Sequence, residues 1–263
     1  NLGNQASTNT HALTLRQAYV SWDKWLAGQT WSNFQDVAAL PDAVDFVGPT
    51  EGTTFVRQAQ LRYTNGPWSV SVENPETTVS PYLGGARISS DDNAVPDLTA
   101  RYLHKAAWGH FTVAGMVRQL KYAYAISVSG KWNIGANDDI RYMVSYGSGI
   151  GRYLGLGLGS DALQAADGSL EALEGQGGYV AWRHAFNPKL RGNLFVSAAS
   201  YDNNPLISGL AVTRSARSIH ANLIYTVLPK LEIGAELIHG NREIESGLDG
   251  DLRRLHMHVK YSF

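Results

Sequence analysis

Cationic side chains recur at alternate positions along much of this 263-residue chain. Where polar and apolar residues alternate cleanly, Arg101, Lys105, Arg118, Lys131, Arg141, Arg183, Arg191, Arg254 and Lys260 share the polar parity with Glu73, Glu232 and Glu236. Side chains alternate across a β-strand, so this spacing puts the charged groups on one face of a sheet. A basic wall enclosing water concentrates anions by focusing its field, and rings of Arg and Lys are how anion-passing pores select. Arg suits carboxylates because its planar fork meets both oxygens at once. Over 53–64, Gln58, Gln60 and Arg62 share one face, while Arg57 falls on the other with Ala59 and Leu61. Arg57 and Arg62 are both candidates for the lining, Arg57 only if a bulge turns it; a contact with a second copy is its other reading.

Other chemistry finds less support. His256 and His258 stand two apart on the polar parity, a spacing that could hold a metal, but no third ligand lies near them in sequence. Lining the wall is the preferred reading, and no metal site is expected. The run from Gly147 to Gly159 is glycine-rich, yet a phosphate cradle belongs to a βαβ unit, and here the glycines lead from a strand into the longest loop, 149–175. There is neither a G-x-S-x-G nor an H-E-x-x-H motif. Ser262 is within sequence reach of His258, but nothing fixes a third partner. The chain reads as a non-enzyme without a cofactor.

The elements that position the basic residues are amphipathic segments of about 10 residues, the length a tilted membrane strand needs. The last one is the clearest: Leu255, Met257, Val259, Tyr261 and Phe263 alternate with Arg254, His256, His258, Lys260 and Ser262. It resembles the closing strand of a bacterial outer-membrane β-barrel, which faces lipid on one side and a wet lumen on the other. Thirteen such segments are expected, at 13–22, 24–32, 53–64, 67–74, 97–106, 109–120, 124–134, 139–148, 176–185, 190–200, 216–227, 230–241 and 252–263. Short turns holding Gly, Asn, Asp or Pro alternate with long connections at 33–52, 75–96, 149–175, 201–215 and 242–251. That asymmetry belongs to barrels with short periplasmic turns and long extracellular loops. The connection at Leu120–Ala123 is too short for its side, and residues are expected to be missing there. Asp161 to Glu174 is expected to form a short acidic helix.

Composition narrows the class further. Hydrophobic residues make up 44% of the chain and mean hydropathy is −0.21. No run of 18 apolar residues exists, which excludes transmembrane helices and leaves a barrel untouched. A net charge of −1 argues against nucleic acid as a partner. Without cysteine there are neither disulfides nor thiolate metal sites. One all-β domain spanning 1–263, an antiparallel transmembrane β-barrel, is the expected organisation.

The segments Arg16–Trp22, Leu26–Phe34, Leu40–Pro49 and Phe55–Tyr63 together resemble the DcaP-like porins. The dense match covers about 13–64, and the rest agrees in pattern. The resemblance implies a trimeric, 16-stranded outer-membrane channel that takes up dicarboxylates and related small organic anions. It also implies three strands and a periplasmic coiled-coil segment upstream of Asn1. In trimeric porins the loop equivalent to 33–52 folds into the lumen and narrows it. Its acids Asp36, Asp42, Asp45 and Glu51 would then meet cations of the wall; the plainer reading is a capping loop held by Pro41 and Pro49. Expected partners are outer-membrane lipid and lipopolysaccharide, two further copies of the chain, and small anionic solutes. Segments 13–32 and 53–64 are the expected contact between copies. A non-selective diffusion pore, or an adhesive or structural barrel whose loops bind a surface partner, remains open.

Overall fold

An extended segment with one apolar face cannot stand alone, because its backbone N–H and C=O groups must be paired. In a computed structural model of the protein all thirteen expected strands form and join into one antiparallel sheet in sequence order. They are β1 (Ala18–Trp22), β2 (Trp25–Trp31), β3 (Arg57–Asn65), β4 (Trp68–Glu73), β5 (Asp97–Ala106), β6 (Gly109–Val117) and β7 (Tyr124–Ile134). Then follow β8 (Asp138–Ser148), β9 (Glu174–Asn187), β10 (Leu190–Asp202), β11 (Thr213–Leu228), β12 (Leu231–Ile244) and β13 (Asp249–Tyr261). The structure describes residues 2–5, 10–13, 15–45, 48–90, 94–120 and 123–262. The expected terminal aromatic, Phe263, lies outside them. Among the described residues β1 and β13 are not paired with each other, so the sheet is an open wall. Leu2–Gln5 and Thr10–Leu13 form a separate hairpin.

Period-two patterning decides the two faces. Along β8, Met143 and Ser145 are 0% and 1% exposed, while Val144 between them is 59% exposed. The open face carries Leu61, Val72, Val128, Val144, Val180, Val196, Leu237 and Val259. Trp22, Trp25, Trp68, Trp108, Trp132 and Trp182 stand on that face near the short turns, the place of an interfacial aromatic girdle. The short turns themselves need positive φ, supplied by Gly66 at 59° and Gly135 at 64°, which matches the twist of the strands they join.

Most long connections gather at the other end of the wall. Thr77–Ser80 of one and Ala162–Gln164 of another run parallel, and Ile88–Ser90 and Leu170–Ala172 complete a four-stranded sheet. The helix expected over Asp161–Glu174 is therefore a hairpin. An isolated helix of that length is marginal in water, whereas the edge of Thr77–Ser80 offers a ready ladder. Asp161 anchors it, accepting from the Thr78 N–H at 2.8 Å and its hydroxyl at 3.0 Å. Phe34, Ile150, Tyr153, Leu154, Leu163, Leu173 and Tyr201 form the apolar core beneath. At the short connection after β6, Arg118 N–H donates to Ala123 O at 2.9 Å, closing a tight hairpin; Lys121 and Tyr122 lie outside the described residues.

Candidate functional site

The connection 32–56 turns back against the polar face and crosses it sideways. Its first residues dock on β4, where Ser32 Oγ and Asn33 N–H donate to the buried Glu73 carboxylate at 2.7 and 2.8 Å. Asp36 lies over β6 and β7, accepting from Thr112 Oγ1 at 3.0 Å and Ser129 Oγ at 3.1 Å, with His110 Nε2 at 2.9 Å. A 3-10 turn follows at Val37–Ala39, capped by the Asp36 carboxylate. Arg141 then donates to Leu40 O at 2.6 Å, and Tyr179 Oη to Ala39 O at 2.9 Å. Further on, Val44 N–H donates to Glu236 at 2.8 Å, Gly52 N–H to Ser197 Oγ at 3.0 Å, and Ser218 bonds to Glu51. The loop touches every wall strand from β4 to β13, because Asp45 lies 3.7 Å from Arg254 and 3.6 Å from His256. Polar side chains on both surfaces make this seating favourable, since a hydrogen bond to a charged group contributes about 1.5–3 kcal/mol. Phe46 and Val47 lie outside the described residues.

Where Asp42 meets the wall, a chain of shared carboxylates forms. Asp139 holds Arg141 at 2.8 Å, Lys131 at 3.4 Å and Arg183 at 3.5 Å. Asp42 holds Arg191 at 2.6 Å and Arg183 at 3.5 Å. Glu232 holds Arg191 at 2.9 Å and Lys260 at 3.8 Å. Five cations thus share three carboxylates, leaving a local surplus of two positive charges. Burial pushes the Asp42 carboxyl up, but its bond to Arg191 and the charges of Arg191, Arg141 and Arg183 outweigh this and hold it below its ordinary value. Arg183 keeps 28% of its side chain exposed beside this chain of charges, and Lys131 31%. Both therefore present N–H donors to the space between loop and wall.

The remaining candidates fall into three groups. Arg62 and Arg101 share the polar parity, and Arg101 donates to Gln35 O at 3.2 Å. Lys105 faces the same side near the short turn after β5. Arg118 is a correction: its side chain is 1% exposed, locked to Asp161 at 2.9 Å and Asp97 at 3.0 Å. It ties the long loops to the wall and meets no open space. Arg57 is the second correction. It lies on the outer face opposite Trp31, its guanidinium 3.6 Å from that ring's centroid. No bulge turns it, and a cation–π contact holds it on the apolar side, where a charge near a strand end costs little.

Sequence reasoning missed Asp139, although its parity with Arg141 was signal enough. It missed His110 and His220 because their roles depend on the loop. Ser218 Oγ lies 2.9 Å from His220 Nε2, and His220 Nδ1 lies 2.9 Å from Glu236, a line resembling a hydrolase triad. Its serine hydroxyl, however, bonds to the Glu51 carboxylate. A carboxylate only accepts, so that proton is committed to the loop and the line is a latch. Among the described residues no group of three or more His, Cys, Asp or Glu is placed to hold a metal.

Comparison with known proteins agrees with this architecture. The model of the DcaP outer membrane protein family matches residues 2–263. The crystal structure of the outer membrane channel DcaP of Acinetobacter baumannii superposes with a TM-score of 0.84 at 26% identity, covering 99% of this chain and 78% of that one. Outer-membrane OmpT of Vibrio cholerae gives 0.58 at 12% identity, with 94% and 80% covered. Salmonella typhi OmpF, solved in complex with daunomycin, gives 0.57 at 12% identity, with 95% and 80% covered. A search of curated proteins found no significant match. The open wall is therefore that of an outer-membrane β-barrel, and its apolar face meets lipid.

Proposed function

Because this chain belongs to the DcaP outer membrane protein family, a family of outer-membrane channels, we propose that it passes small organic anions, dicarboxylates above all, by passive diffusion. The path runs between the loop 32–56 and the basic wall. One observation carries the selectivity: five wall cations, Lys131, Arg141, Arg183, Arg191 and Lys260, share only three carboxylates where Asp42 approaches the wall. Each carboxylate is spread over two or three cations, so a second anion gains donors without displacing the first. The lumen is wet, and charges kept in water there cost little to maintain. Arg62 and Arg101 extend the basic strip along β3 and β5, and Arg254 and His256 continue it on β13 beside Asp45. The whole chain acts as one domain, functioning as a homotrimer, with neither cofactor nor catalysis.

Reversal potential across a planar bilayer under a potassium chloride gradient tests this reading. Anion selectivity is the expected sign. A cation-selective potential refutes the wall assignment, and the absence of a steady open current refutes the channel itself.

A further inference from the structure

On the lipid side of the wall, three adjacent strands carry a cluster that the solute path does not use. Arg217 on β11, His239 on β12 and Arg253 on β13 all project from the outer face and are exposed. Ile219, His239 and Arg253 stand side by side in register, and Arg217 is one outward position further along β11. Among the described residues the side chain of none of the three cluster members takes part in an ion pair or hydrogen bond. Asp251 is in register with Arg217 through Asn241, whose amide donates to it at 3.1 Å and to Asp249 at 3.0 Å.

Below this cluster lies an apolar hollow. The next outward row is Leu194, Ala221, Leu237 and Leu255, directly paired across β10 to β13. Ala221 is the small member, and a groove of about 670 Å³ opens over it, lined by these residues together with Ile219, His239 and Arg253. His239 and Arg253 thus form a cationic rim above this greasy floor, and Arg217 lines the adjoining hollow with His239 and Asp251. The rows are about 7 Å apart, two residues of strand rise. The rim lies four to five residues from the loop-side ends of its strands, at Thr213, Ile244 and Asp249. That end faces the outer leaflet if the short turns are periplasmic.

We propose that this groove binds a phosphorylated, acylated glycolipid of the outer leaflet. Its phosphate sits among Arg217, His239 and Arg253, and one acyl chain lies over Ala221 between Leu194, Leu237 and Leu255. Three cationic or ionisable groups crowded on a lipid-facing wall repel one another and are poorly solvated; a phosphate supplies the missing counter-charge and accepts several charge-assisted bonds. The inference rests on the membrane setting alone and is independent of the selectivity of the lumen.

Native mass spectrometry of the purified full chain in detergent, with bisphosphorylated lipid A added as the probe, tests it. Wild type retains the lipid, and the dephosphorylated derivative is retained at least about tenfold less, a difference readily read as a shift in apparent Kd. The paired variant R217E/R253E loses retention to the same degree. Ala221→Phe fills the hollow with the charges intact and also loses it, while the reversal potential of each variant stays at the wild-type value. Retention indifferent to the phosphates, or unchanged in both variants, overturns the proposal. So does a change of oligomeric state with lipid retention unchanged, which would assign this face to contact between copies.

Discussion

Arg183 offers the most direct test of the charged strip. It bridges Asp42 and Asp139 at 3.5 Å each, both longer than the 2.6–2.9 Å contacts of Arg141 and Arg191, and 28% of its side chain is open. Replacing it by Gln removes one positive charge, and by Glu two, taking the local surplus from two to one or to zero. At about 6 Å in water each unit of charge acts on a monovalent anion with about 0.7 kcal/mol. Screening at 0.1 M salt leaves a little more than half of this, given a Debye length of about 10 Å. Arg183→Glu should then lower monovalent anion preference roughly threefold and dicarboxylate preference roughly tenfold. Arg183→Gln should give half of each effect on a logarithmic scale. Reversal potentials and liposome swelling with a dicarboxylate read both quantities. Equal effects of Gln and Glu would mean that Arg183 acts by holding the loop, and no effect of either would refute its place on the path. Arg57→Gln, on the outer face, is the control and should leave selectivity unchanged.

Other parts of the architecture make separate predictions. Arg118→Ala leaves the buried Asp161 with hydrogen bonds but no side-chain cation and Asp97 with only the longer contact to Arg152, and should cost about 3–5 kcal/mol, seen as a lower thermal unfolding midpoint with selectivity retained in the folded fraction. Gly52 lies against the Gly178 carbonyl and Ser197 Oγ, where an added Cβ would collide with both; Gly52→Val should lift the loop and raise single-channel conductance. The Asp42 carboxyl sits below its ordinary value, so its contribution to loop seating is complete above about pH 4 and is lost as pH falls through the lowered value. The amide protection factors of residues 40–45, corrected for intrinsic exchange, should therefore stay constant from neutral pH down to about 4 and fall below it, and in Asp42→Asn that acid step should shrink.

The order of the wall was legible in the chain because alternation is a local property of extended backbone. Two residues along β8 suffice to tell lipid from lumen, and all thirteen strands follow from such pairs. That Lys131, Arg141, Arg183 and Arg191 share the loop-facing side follows from the same parity, whereas the placing of Asp36, Asp42 and Asp45 against that side rests on the resemblance to the porins. The tertiary structure alone decided which charges meet. Asp42 and Arg191 are 149 residues apart, and only the sideways path of the loop across the wall brings them together. Arg118 has the parity of a lining residue, yet the long loops close over it with Asp161, which no pattern near Arg118 foretells. Asp161 itself lies in a stretch that reads as a helix and becomes a hairpin, because the edge that pairs with it comes from another loop. Periodicity specifies the face a side chain occupies; the partners and open space it finds there depend on segments that only folding brings near.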